Sequence, residues 1–81
     1  MFTYKTKGTC SSKIMIEHEG DVITHVEFQD GCKGNTQGVS RLCEGRRIDE
    51  LIPLLEGIQC RGGTSCPDQL SKALKQLKET L

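Results

Sequence analysis

Cys10, Cys32, Cys43, Cys60 and Cys66 are the residues of this 81-residue chain best equipped for chemistry. A thiolate ligates soft metals and attacks disulfides, whereas a buried thiol packs as a small hydrophobe. The spacing holds no CxxC knuckle of the kind that marks a zinc ribbon, and the stronger signal is where each cysteine falls on its element. In "CRGGTSCPDQL", Cys60 and Cys66 flank a glycine-loosened loop, and Cys66 stands at the mouth of a helix. In "QDGCKGNTQG", Cys32 likewise precedes a short helix, and the partial positive charge at a helix N-terminus favours thiolate. Cys10 leads into a strand, so four thiols lie at element ends where loops converge. Cys43 sits beside Leu42 on the apolar side of a predicted helix and reads as core.

Other candidates carry a weaker signal. The backbone amides of Gly62, Gly63, Thr64 and Ser65, ahead of a helix, have the pattern of an anion nest. His18, at a hairpin end, and His25, on a polar face, read as solvated histidines.

The elements that position these residues follow from periodicity. Ser12 to Phe28 predicts a β-hairpin, with Ile14, Ile16 and His18 alternating, then Val22, Thr24, Val26 and Phe28. A two-residue loop at Gly20-Asp21 would place the two apolar sets on opposite faces. A three-residue loop, Glu19 to Asp21, pairs His18 with Val22, Ile16 with Thr24 and Ile14 with Val26, and is the expected register. Phe2, Tyr4 and Thr6 alternate as a third strand would.

Asn35 or Thr36 is placed to cap a short helix that turns Val39, Leu42 and Cys43 inward and stops at Gly45. Asp49 is the expected cap of a second helix, "ELIPLLE", ended by Gly57. The last helix is the clearest: Leu70, Ala73, Leu74, Leu77 and Leu81 recur at helical spacing. Ser65 with Asp68 three residues on forms a capping-box-like start, and Pro67 suits the first turn.

Strands first and helices after predict an α+β fold, a two- or three-stranded antiparallel sheet with about three helices packed on one face, as a single domain over 1–81. The face bearing Lys13, Glu17, His25 and Glu27 is expected to be wet. Ordering costs on the order of 1.5 kcal/mol per residue, and a chain this small with three aromatic residues gains from a staple. Eleven basic and eleven acidic side chains cancel, so no DNA or RNA partner is expected. The longest uncharged apolar run, Leu51 to Leu55, is far short of a membrane span. With an odd number of cysteines and no basic-plus-apolar leader, the expected compartment is the cytoplasm.

The stretches "GTCSSKI", "DGCKGNTQG", "LLEGIQC" and "TSCPDQLSKAL" resemble the TSCPD domain in its small stand-alone four-cysteine form, from Gly8 to Leu77. Related domains lie at the C-terminus of some ribonucleotide reductases. The resemblance implies a link to deoxyribonucleotide synthesis and carries the four family cysteines onto Cys10, Cys32, Cys60 and Cys66, leaving Cys43 outside. Any ribonucleoside-diphosphate reductase label would come from this resemblance, since the chain has no reductase barrel and no catalytic residue is assigned to it. The order of elements also resembles the iron-sulfur cluster scaffold fold, with Cys10, Cys32 and Cys66 matching in place and Cys60 supplying a fourth thiol.

Three functions follow as expectations. The first is a metal-binding module in which Cys10, Cys32, Cys60 and Cys66 hold zinc or an iron-sulfur cluster, accessory to ribonucleotide reductase or to an iron-sulfur or redox protein, with a homodimer as one way to complete the site. The second is a thiol-disulfide relay, Cys66 attacking and Cys60 resolving. The third is a nonmetal protein- or nucleotide-binding domain.

Overall fold

A computed structural model describes residues 2–8, 11–30, 33–58 and 64–81. Strands β1 (Phe2–Lys5), β2 (Ser11–Glu19) and β3 (Val22–Asp30) form an antiparallel sheet in the order β1-β2-β3. Helices α1 (Lys33–Cys43), α2 (Ile48–Leu55) and α3 (Cys66–Thr80) follow. The expected α+β architecture is thus present, with three strands and three helices among the described residues; α1 packs on β3, α3 on β1 and β2, and α2 on α3.

The hairpin register departs from the expected one. Its loop is Gly20-Asp21, with Glu19 opposite Val22 and His18 opposite Ile23, and the register then shifts so that Glu17 meets His25, Ile16 meets Val26 and Ile14 meets Phe28. Thr24 is the extra residue of a β-bulge on β3. One inserted residue reverses the facing of everything beyond it, so Ile23 and Val26, three apart, both point into the core. The bulge thereby solves the problem that the two-residue loop poses. Gly20 takes the left-handed conformation (φ 57°) that such a turn demands.

The buried face of the sheet, Ile14, Ile16, Ile23 and Val26, meets Leu70, Ala73, Leu74 and Leu77 of α3, Ile48 and Leu51 of α2, and Cys43 of α1. Phe2, Tyr4 and Phe28 pack at the edges of this core, while Glu17, His25 and Glu27 face water as expected.

Two helix starts differ from expectation. Helix α1 begins at Lys33, ahead of the expected caps. The N-cap of α2 is Arg47, whose amide donates to Glu50 Oε1 at 3.3 Å, so the helix starts before Asp49. Pro53 is then its sixth residue and leaves the Asp49 carbonyl without a helical donor. Gly45 (φ 80°) and Gly57 (φ 85°) follow α1 and α2 as expected.

Candidate functional site

The start of α3 is the part of the cysteine region that can be built from its residues. Ser65 is the N-cap: its Oγ accepts from the Asp68 amide at 3.1 Å and donates to the Ile58 carbonyl at 2.5 Å. The Asp68 carboxylate does not reach back to the cap residue as a capping box would. It accepts from Thr64 Oγ1 at 2.7 Å and from the Gly57 amide at 2.8 Å, tying the end of α2 to the start of α3. Gln69 extends the network, donating to Thr64 Oγ1 and accepting from the Lys7 amide, both at 3.1 Å. The Thr64 hydrogen bond and then the Gly57 amide hold the Asp68 carboxyl below the usual aspartate range, with smaller help from Lys72 and Lys75.

Cys66 is the first residue of α3 and is 6% exposed. Its Sγ lies 3.3 Å from Ser11 Oγ at the start of β2. Cys43 is 1% exposed in the core, and burial pushes its thiol up to about 11 against a smaller opposing effect of Arg46. Both cysteines are unbonded thiols. Cys43 therefore has the core placement that the sequence assigned to it.

Cys10, Cys32 and Cys60 lie outside the described residues, as do Gly62 and Gly63. Among the described residues no group of three or more histidine, cysteine, aspartate or glutamate side chains is placed to hold a metal ion. The expectation of a zinc or iron-sulfur module is corrected on that finding. Cys66, the one member of the expected ligand set that is described, is instead a buried thiol against Ser11. The relay role expected of Cys66 would start from a sulfur that is buried here, and its expected resolving partner, Cys60, lies outside the described residues. Of the residues whose backbone amides were expected to form an anion nest, Thr64 and Ser65 are described; their hydroxyls bond within the chain, and the Asp68 carboxylate lies at the same helix start. His18 Nδ1 lies 3.0 Å from the Gly20 carbonyl, and His25 Nδ1 is 3.6 Å from Glu44 Oε2 on the surface.

A second region was not expected from the sequence. Leu42, predicted to turn inward, is 67% exposed, and Leu54 and Ile58 are 63% and 43% exposed. Together with Val39, Leu51 and Pro67 they line a groove of about 400 Å³ between α1, α2 and the start of α3, in which Cys43 also takes part. Among the described residues, Arg46 is the one charged member of this lining. Its Nε donates to the Leu42 carbonyl at 2.8 Å, which fixes the guanidinium beside the exposed leucines. The signal was weak in sequence because Leu42, adjacent to Cys43, satisfies either side of a short amphipathic helix.

Among the described residues, a three-stranded antiparallel sheet backed by three helices, with polar closure at the start of α3 and an apolar groove beside it, defines a small α+β domain. Among the described residues no helix is long and apolar enough to cross a membrane. The family model of the TSCPD domain matches residues 2–78, and the chain belongs to the TSCPD domain family. No curated protein and no solved structure matches it, so the expected likeness to the iron-sulfur scaffold fold gains no structural counterpart.

Proposed function

We propose that this protein is a noncatalytic polypeptide-binding module that receives an amphipathic helical segment bearing a carboxylate in the groove between α1, α2 and the start of α3. The observation that carries this reading is the placement of Leu42, Leu54 and Ile58, all exposed, around one groove whose lining, among the described residues, carries a single charge, Arg46. Large aliphatic side chains gathered at the surface of a small domain mark a contact surface, whereas singly scattered ones do not. The groove takes two or three aliphatic side chains at the i, i+3 and i+4 spacing of a helix, and the guanidinium selects a carboxylate beside them. Its open shape, with the leucines on the rim, suits a polypeptide better than a lipid chain, which calls for an enclosed cavity. A second copy of this chain presenting the same groove is a poorer occupant, because among the described residues that lining offers another arginine and no carboxylate.

The test uses a fourteen-residue amphipathic helical peptide with leucines at i, i+3, i+4 and i+7 and a glutamate flanking that face, titrated by fluorescence anisotropy. The glutamate peptide should bind at least fivefold more tightly than its glutamine counterpart, and Arg46→Gln should erase the difference. Leu54→Glu should abolish binding by both. Equal affinity for the two peptides in the unaltered protein, or binding unchanged by Leu54→Glu, would overturn the reading. Ribonucleotide reductase, the partner implied by the motif resemblance, is the first whole protein to try in the same assay.

A further inference from the structure

The sheet order leaves β3, nine residues long, at an edge. At the beginning of β3 the chain already supplies its own neighbour: the Ile23 amide donates to the Arg46 carbonyl at 2.9 Å, the Gly45 amide to the Ile23 carbonyl at 2.7 Å, and the Ile48 amide to the Asp21 carbonyl at 2.9 Å. The bridge between Val22 and Arg47 is antiparallel. Beyond Ile23 this pairing stops. Among the described residues, no backbone hydrogen bond from outside the sheet reaches the remainder of β3.

A groove of about 350 Å³ takes over where the self-pairing ends. Residues 25–28 of β3 form one side, and Gln37, Ser40, Arg41 and Glu44 of α1 belong to the other. A strand edge offers backbone donors and acceptors in a row, and the chemistry that satisfies them is an extended polypeptide backbone.

We infer that this groove binds an extended polypeptide segment, which adds to β3 as an antiparallel fourth strand in line with the 45–48 segment. The direction follows from continuity with the antiparallel bridge at Val22 and Arg47. The guest's side chains follow from the lining: Gln37, Ser40, Arg41 and Glu44 make the helix side polar, so hydroxyl-bearing β-branched residues fit there. Among the described lining residues, Glu44 has His25 3.6 Å away, and Glu27, on β3 itself, is the carboxylate that a lysine or arginine on the guest complements. Pairing with β3 of a second copy would bring a second Glu27 to the edge in place of a cation, which disfavours that occupant. The surface is separate from the leucine-lined groove and does not depend on its function.

The probe is an end-blocked nine-residue peptide of alternating threonine and valine with a central lysine, followed by backbone amide shifts and hydrogen exchange. Two N-methylated forms, methylated on one or the other alternating set of amides, separate backbone pairing from side-chain contact. Amides of β3 between Thr24 and Gln29 should exchange at least tenfold more slowly with the peptide bound, and Ser40 and Arg41 should shift. One N-methylated form should keep its affinity and the other lose at least tenfold. Glu27→Lys should weaken the lysine peptide about tenfold and favour a glutamate-centred one, and Ser40→Trp should block both while leaving the circular dichroism spectrum unchanged. Equal binding of the two methylated forms, shifts at Leu42 and Leu54 instead of β3, or no binding at millimolar peptide would each overturn the inference. Should Ser40→Trp unfold the chain, Glu27→Lys and the methylated pair still decide it.

Discussion

Ser11 Oγ and Cys66 Sγ lie 3.3 Å apart, joining the first residue of β2 to the first residue of α3. A cysteine that the sequence places at a positive helix end, in position to react, is thereby turned into a contact between sheet and helix. Thiol chemistry depends on access as well as on thiolate content. Site-resolved alkylation followed by mass spectrometry should find Cys66 and Cys43 modified about a hundredfold or more slowly in the folded chain than in denaturant, as expected for groups reached only through opening of the structure. Rapid native labelling of Cys66 would show that this end of α3 is open.

Asp68 should set an acid limb of stability. Its carboxyl is held below the ordinary aspartate value of about 3.9. Between the folded and the unfolded value the unfolded chain binds more protons, so stability rises with pH across that window. The contribution is present above the unfolded value and is lost as pH falls through the folded one. Urea denaturation as a function of pH should show this limb, and Asp68→Asn should flatten it. Asp68→Ala, which leaves the Thr64 hydroxyl and the Gly57 amide without their acceptor, should cost about 1–3 kcal/mol near neutral pH.

Two glycines should respond in opposite ways to alanine. Gly8 has φ 76°, and a Cβ there would stand 3.1 Å from Thr64 Cγ2, so Gly8→Ala should destabilise by roughly 1–2 kcal/mol or more. Gly38 lies within α1 with open space where its Cβ would be, and Gly38→Ala should stabilise by about 0.5–1 kcal/mol. Thermal unfolding of the pair checks both signs at once.

Much of the fold was legible because it is written in periodicity. The α3 helix follows from the spacing of Leu70, Ala73, Leu74 and Leu77, all buried, and from a Ser65 cap that forms as read. The hairpin and its Gly20 turn were legible too, but the Thr24 bulge was not. An inserted residue leaves no mark of composition; its trace is the conflict between the short loop and the apolar pattern, which a longer loop resolves equally well on paper. Leu42 was misplaced for a similar reason: one helical step separates it from Cys43, and only the tertiary packing shows which of the two enters the core. The cysteines read as one site by position; of that set only Cys66 is among the described residues, with Ser11 beside its sulfur. The sequence signal for the groove was the cluster of apolar residues in "ELIPLLEGI", which periodicity alone assigns to a core.

The core itself should be unforgiving. Leu74 is fully buried beneath the sheet, and Leu74→Ala should cost about 2–5 kcal/mol in chemical denaturation. Leu54→Ala, at an exposed rim position, should change stability by no more than about 0.5 kcal/mol. A comparable loss at Leu54 would mean that this leucine is packed in solution and is no free contact surface.

The most direct test of the central claim is to map the binding of the glutamate-bearing amphipathic peptide by amide chemical shifts on the folded chain. Shifts should centre on Leu42, Arg46, Leu54 and Ile58 and be abolished in Leu54→Glu with the rest of the spectrum preserved. Shifts centred elsewhere, or none at millimolar peptide, would contradict it.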